Sequence, residues 1–104
     1  MKAKPHLLPR HARMMSGMGG HLRLARLRRR LGTELLAERA GISRATLNKI
    51  ERGDPSVAMG NYFAVMNALG LADAFASLGA DDPLGRIIQD DQLPLRIRKS
   101  NSSP

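Results

Sequence analysis

The stretch that most restricts what this chain can fold into runs from Thr33 to Gly53, T-E-L-L-A-E-R-A-G-I-S-R-A-T-L-N-K-I-E-R-G. Its apolar residues recur at helical spacing, first through Leu35 or Leu36 and Ala40, then through Ile42, Leu47 and Ile50, and the period breaks at Ala40-Gly41-Ile42-Ser43. Gly41 tolerates the left-handed backbone that ends a helix, and Ser43 offers an oxygen to the first turn of the next one. The pattern predicts two short helices, over 33–40 and 44–51, meeting at a sharp corner. With Ile42, Leu47 and Ile50 turned inward, Arg44, Ala45, Asn48 and Lys49 remain on the outer face of the second helix. Arg52-Gly53-Asp54-Pro55 stops it, because Gly53 accepts a left-handed cap and Pro55 cannot continue a helix.

A short helix presenting Arg, Asn and Lys outward, braced by a preceding helix, is what a helix-turn-helix needs to enter a DNA major groove. L-A-E-R-A-G-I-S-R-A-T-L-N-K-I-E-R-G resembles the core of the XRE family, the Cro and phage-repressor type of helix-turn-helix protein. Ala37, Gly41, Ile42, Ser43, Leu47, Ile50, Glu51 and Gly53 fall in register, and the resemblance spans roughly Leu22 to Leu71. It implies an all-α, five-helix, lambda-repressor-like domain that reads double-stranded DNA. By family position Arg44, Ala45 and Lys49 project toward base edges, the two cations suiting guanine and the alanine a thymine methyl. Thr33, Ser43, Thr46 and Asn48 are placed for phosphate or sugar. Arg26 matches the position whose guanidinium pairs with the Glu of I-E-R-G, here Glu51, and a planar bidentate pair suits a join between helices. One departure stands at the second helix, where the family usually has Ser or Thr followed by Gln and this chain has Gly32-Thr33. The amide contact to phosphate is therefore missing, while a hydroxyl and the free N–H groups of the helix start remain.

Charge is distributed in agreement with a DNA-facing front. The net charge is +8, and nine of the 17 basic residues, with all three His, precede the first acidic residue, Glu34. From Asp54 to Gln92 six Asp face only Arg86. Such asymmetry points to a polyanion at one end and a different partner at the other. Residues 1–16 are expected to form a flexible basic arm whose Lys2, Lys4, Arg10 and Arg13 follow phosphates, with Met14, Met15 and Met18 as alternative starts. Residues 17–79 form the DNA-binding domain and 80–104 a tail. Gly17-Met18-Gly19-Gly20 is no phosphate-cradling loop, since neither the Lys-Ser/Thr nor a preceding strand accompanies it. Those glycines read as loosening the start of helix 1, expected from about Met18 to Arg30 with Leu22, Ala25 and Leu31 inward and Leu24 and Leu27 on a second stripe.

Behind the corner, a helix from about Met59 to Leu69 is apolar nearly all round, which predicts burial on two sides. Leu71, Ala74, Phe75 and Leu78 follow at i, i+3, i+4 and i+7 as a fifth helix ended by Gly79. Met59, Phe63, Met66, Leu71, Phe75 and Leu78 are the expected homodimer interface, and two reading helices one DNA turn apart require an inverted-repeat operator. In the tail, Leu84, Ile87 and Ile88 make one apolar helical turn and Leu95-Arg96-Ile97-Arg98 alternates like a short edge strand. The segment D-D-P-L-G…Q-L-P-L-R-I-R-K after such a domain resembles HipB-like antitoxins, which accompany HipA-like kinase toxins. That resemblance implies an autoregulatory repressor holding a kinase toxin through surfaces away from DNA. The alternatives are a protein-binding inhibitor with secondary DNA binding, or a stand-alone regulator.

Other classes find little support. The absence of Cys removes disulfides, thiolate metal sites and Cys nucleophiles. The Asp81-Asp82 and Asp90-Asp91 pairs lack calcium-loop spacing, and His6, His11 and His21 have no acid or nucleophile beside them. No enzyme activity, cofactor or metal is expected, and with no apolar run near a membrane span the expected location is cytoplasmic.

Overall fold

The computed structural model describes residues 5–89, and every regular element among them is an α-helix. In chain order these are α1 (Pro9–Arg28), α2 (Thr33–Ala40), α3 (Arg44–Glu51), α4 (Met59–Ala68), α5 (Ala72–Ala76) and α6 (Pro83–Gln89). α2 and α3 have the bounds their periodicity predicts. The all-α expectation holds with six described helices rather than five, because the apolar turn at Leu84, Ile87 and Ile88 lies in a helix of its own. Asp82 starts that helix: its carboxylate accepts from the Gly85 N–H at 3.1 Å and its carbonyl from the Arg86 N–H at 2.9 Å. The expected strand at 95–98 lies outside the described residues.

α1 departs most from expectation. It begins at Pro9, so residues 9–16 belong to a helix and not to an arm. Proline suits a first helical turn, where its fixed φ is already helical and its missing N–H would have no partner. The Leu8 carbonyl accepts the first helical bond, from Ala12 N–H at 2.9 Å. Tertiary packing then offsets the poor propensity of three glycines. A Cβ at Gly19 would lie 2.5 Å from both the Ile50 carbonyl oxygen and the Gly53 nitrogen, so glycine here lets the backbone of α1 rest on the end of α3. The glycine cluster therefore fastens the helix rather than loosening it, at least at Gly19. The other end is earlier than expected, with Arg29 and Arg30 in the turn that leads to α2.

The core is aliphatic, as three aromatics in the whole chain require. Leu22 and Ala25 of α1, Leu36 and Ala37 of α2, Leu47 and Ile50 of α3, and Tyr62, Val65 and Leu69 of the α4 region form one buried cluster. Leu36, Leu47, Ile50 and Val65 are fully inaccessible. At about 1.5–3 kcal/mol for each large side chain removed from water, these four hold α2, α3 and α4 together. α2 packs across α4 and α3, α1 lies on α3, and α5 folds back on α4.

Candidate nucleic-acid interface

The corner between α2 and α3 is built by two backbone bonds. Gly41 sits at φ 73°, its N–H donates to the Glu38 carbonyl at 3.1 Å, and Ile42 N–H donates to the Ala37 carbonyl at 3.0 Å. Two of the carbonyls left over at the end of α2, those of Ala37 and Glu38, are thus satisfied within the turn. Ser43 then caps α3, its hydroxyl oxygen accepting the Thr46 N–H at 3.0 Å. The same hydroxyl donates to Thr46 Oγ1 at 3.0 Å. Ser43 is committed to the cap, and the Thr46 hydroxyl proton is the one left to donate outward.

α3 divides cleanly between its faces. Leu47 and Ile50 are fully buried, while Arg44, Ala45, Asn48 and Lys49 are all exposed. Thr33 is half-buried at the first position of α2, where Gly32 occupies the cap and contributes no side-chain bond. The start of α2 therefore presents its first-turn N–H groups beside the Thr33 hydroxyl, with the Glu34 carboxylate also in that turn.

The far end of α3 is fixed from three sides. Arg26 Nε donates to Glu51 Oε2 at 2.7 Å and Nη2 to Oε1 at 3.1 Å, a bidentate pair whose side chains are 9% and 7% exposed. Nη1 donates to the Leu31 carbonyl at 2.9 Å, so this buried guanidinium also holds the turn after α1. Ser16 Oγ donates to the Arg52 carbonyl at 3.1 Å, and a Cβ on Gly53 would collide with the Met15 carbonyl. From the other side the Tyr62 hydroxyl donates to the Asp54 carbonyl at 2.7 Å. Burial pushes the phenol up to about 12, and the nearby Asp54 charge adds to it. The Asp54 carboxylate shapes the same turn, accepting from Ser56 N–H at 2.8 Å and Ser56 Oγ at 2.7 Å.

Sequence reasoning named Arg26 and Glu51 but missed Ser16, Gly19, Gly53 as a packing site, and Tyr62. One signal was available: the small residues Ser16 and Gly19 lie three apart on α1, the spacing that exposes a strip of backbone to a neighbour.

The six residues expected at a dimer contact do not share one environment. Met59 and Leu78 are exposed and Phe63 is 39% exposed, whereas Met66 and Leu71 are partly buried against the protomer's own core. Phe63 and Phe75 meet with ring centroids 4.9 Å apart at 60°. Met59, Met66, Phe75 and Leu78 instead line an apolar groove of about 760 Å³, closed on its other side by the first half of α1.

Two short helices at a capped corner, the second buried on one face and cationic on the other, define a helix-turn-helix domain, the kind by which regulators bind DNA. Residues 18–77 match the family described as a helix-turn-helix domain, and the chain belongs to that family. The matched span is more than half the chain and contains α2 to α5 with the second half of α1. Among curated proteins compared with it, none matches. Among the described residues no cluster of His, Asp and Glu could hold a metal ion, and no helix is long and apolar enough to cross a membrane.

Proposed function

We propose that this protein is a sequence-specific transcriptional repressor that binds an inverted-repeat operator as a dimer. The observation that carries this reading is α3 itself: Arg44, Ala45 and Lys49 stand in water on a helix whose opposite face is wholly buried. Such a helix cannot rotate without exposing Leu47 and Ile50, so its outer residues are presented to a groove in one orientation. Arg44 and Lys49 donate to guanine, and Ala45 meets a thymine methyl. Asn48, Thr46 and Thr33 contact phosphate or sugar, while Ser43 supports them as a cap. Met59, Phe63, Met66, Leu71, Phe75 and Leu78 supply the dimer contact. The finer assignment, an autoregulatory antitoxin holding a HipA-like kinase toxin, rests on the tail sequence, most of which lies outside the described residues.

The test is fluorescence anisotropy with the duplex upstream of the gene and with a scrambled duplex, at two salt concentrations. The expected result is a preference of ~10³-fold or more for the upstream duplex. Arg44→Ala should weaken that complex by about 1–3 kcal/mol and relax the preference at one base pair. Equal loss on both duplexes would sink the base-reading role. For the toxin, deletion of residues 93–104 should weaken capture of a co-encoded kinase while leaving DNA binding intact; unchanged capture would remove the tail from that role.

A further inference from the structure

α6 carries Leu84, Ile87 and Ile88 at i, i+3 and i+4, and all three are exposed, at 69%, 81% and 52%. An amphipathic turn of this kind gains little from folding unless its stripe is covered. The same molecule leaves an apolar groove open between α1 and the α4–α5 pair, lined by Met14, Met18, Met59, Tyr62, Phe75 and Leu78 among others. Methionine lining adapts to varied apolar shapes, and the space exceeds what one side chain fills. The charges beside the two surfaces are opposite. Arg10 and Arg13, both exposed, flank the groove stripe of α1. Asp81 and Asp82 precede α6 in sequence and Asp90 and Asp91 follow it, against Arg86 alone.

We propose that α6 of one protomer docks into the α1/α4–α5 groove of a second copy of this chain, so that two protomers exchange arms. The proposal deepens the dimer reading above and rests on it. An exchanged arm explains why the groove is lined by four of the six expected dimer residues, and why the apolar stripe of α6 is uncovered on its own protomer. Opposite charge favours the arm on this groove and disfavours pairing of two like surfaces.

The experiment uses the full chain. Sedimentation equilibrium of Ile87→Asp should show dimerisation weakened at least ~10-fold, with helix content and thermal midpoint of the protomer unchanged because Ile87 is exposed there. The chain has no cysteine of its own, so mixing Met14→Cys and Met59→Cys proteins separately with Ile87→Cys protein under oxidising conditions should give disulfide-linked heterodimers. If Ile87→Asp dimerises like the wild type, α6 is not the arm, while the dimer reading survives. If Ile87→Asp lowers the thermal midpoint without changing assembly, α6 covers its own groove and the exchange is wrong. Failure of both mixtures to cross-link, with a dimer still present, removes the groove as the destination. A wild-type chain that stays monomeric overturns the exchange and the dimer reading together.

Discussion

Between α1 and α3 the domain buries charge and satisfies it, while along α4 to α6 it leaves apolar carbon in water. Arg26 and Glu51 are buried with their hydrogen bonds made, and no buried side-chain nitrogen or oxygen among the described residues lacks a partner. Along α4 to α6, Met59, Leu78, Leu84 and Ile87 are each more than 60% exposed, and Met14 of α1, which lines the same groove as Met59 and Leu78, is 67% exposed. The seam of α1 on α3 is complete within one protomer, as a scaffold for a reading helix must be. The second region is unfinished, as a contact surface is. The contrast is sharpest in what substitution should do. Arg26→Ala leaves the Glu51 carboxylate buried without its counter-charge and should cost about 3–5 kcal/mol of unfolding free energy. Phe63→Ser, measured by urea denaturation at protomer concentrations too low for assembly, should cost far less. Equal losses would erase the distinction between scaffold and contact surface.

Gly19 gives a smaller but sharper test, because two effects compete in sign. Alanine is the better helix former by about 1 kcal/mol, so propensity alone makes Gly19→Ala stabilising. Its Cβ would meet backbone atoms of α3 at 2.5 Å, and backbone cannot move aside as a flexible side chain does. Overpacking of this kind costs about 1–3 kcal/mol, so the net change should be destabilising. Gly20, where nothing lies within 4 Å of the added carbon, is the internal control: Gly20→Ala should raise stability. If both substitutions stabilise, α1 does not rest on α3 as described.

These residues also show what could be read in advance. α2 and α3 were legible because their apolar positions, their glycine corner and their serine cap are local signals within 21 residues of chain, Thr33 to Gly53. The Arg26–Glu51 pair followed only from family position, since 25 residues separate its members. The first half of α1 was not legible: Gly17, Gly19 and Gly20 speak locally against a helix, and what overrides them is contact with Arg52 and Gly53 more than thirty residues away. The reading face could be listed from periodicity, but not that the Ser43 hydroxyl would be consumed by Thr46.

Tyr62 tests the seam between the two regions, because it belongs to α4 yet holds the turn that ends α3. Tyr62→Phe removes one hydrogen bond to the Asp54 carbonyl and should cost about 1 kcal/mol. The pH dependence follows from the raised phenol. The unfolded chain ionises it near 10, whereas the folded protein keeps it neutral up to about 12. Its contribution is fully present below pH 10 and is lost as pH rises from 10 to 12. It is the only tyrosine, so its ultraviolet difference spectrum follows that single group. Ionisation near 10 in the folded protein would mean that the hydroxyl is not held in the seam.

The smallest expected effect separates stability from function at one residue. Gly41, Gly53 and Gly70 end their helices at φ 73°, 74° and 80°, and each is followed by a residue whose N–H reaches back to the last turn. α1 ends in the same way, with Leu31 N–H on the Arg26 carbonyl at 3.2 Å, but the left-handed residue is Arg30 at φ 56°. A side chain in that conformation costs roughly 1–2 kcal/mol, part of which glycine would return to the unfolded chain as entropy. Arg30→Gly should therefore stabilise the protomer by about 0.5 kcal/mol. Arg30 is exposed and its side chain makes no hydrogen bond or ion pair among the described residues, so none of these accounts for an arginine where the other three ends have glycine. A phosphate contact would account for it. If so, Arg30→Gly lowers DNA affinity on every duplex alike and reduces the slope of log K against log salt by about 1. A variant that is more stable and binds DNA with an unchanged salt slope would leave the strained arginine without a role at the DNA.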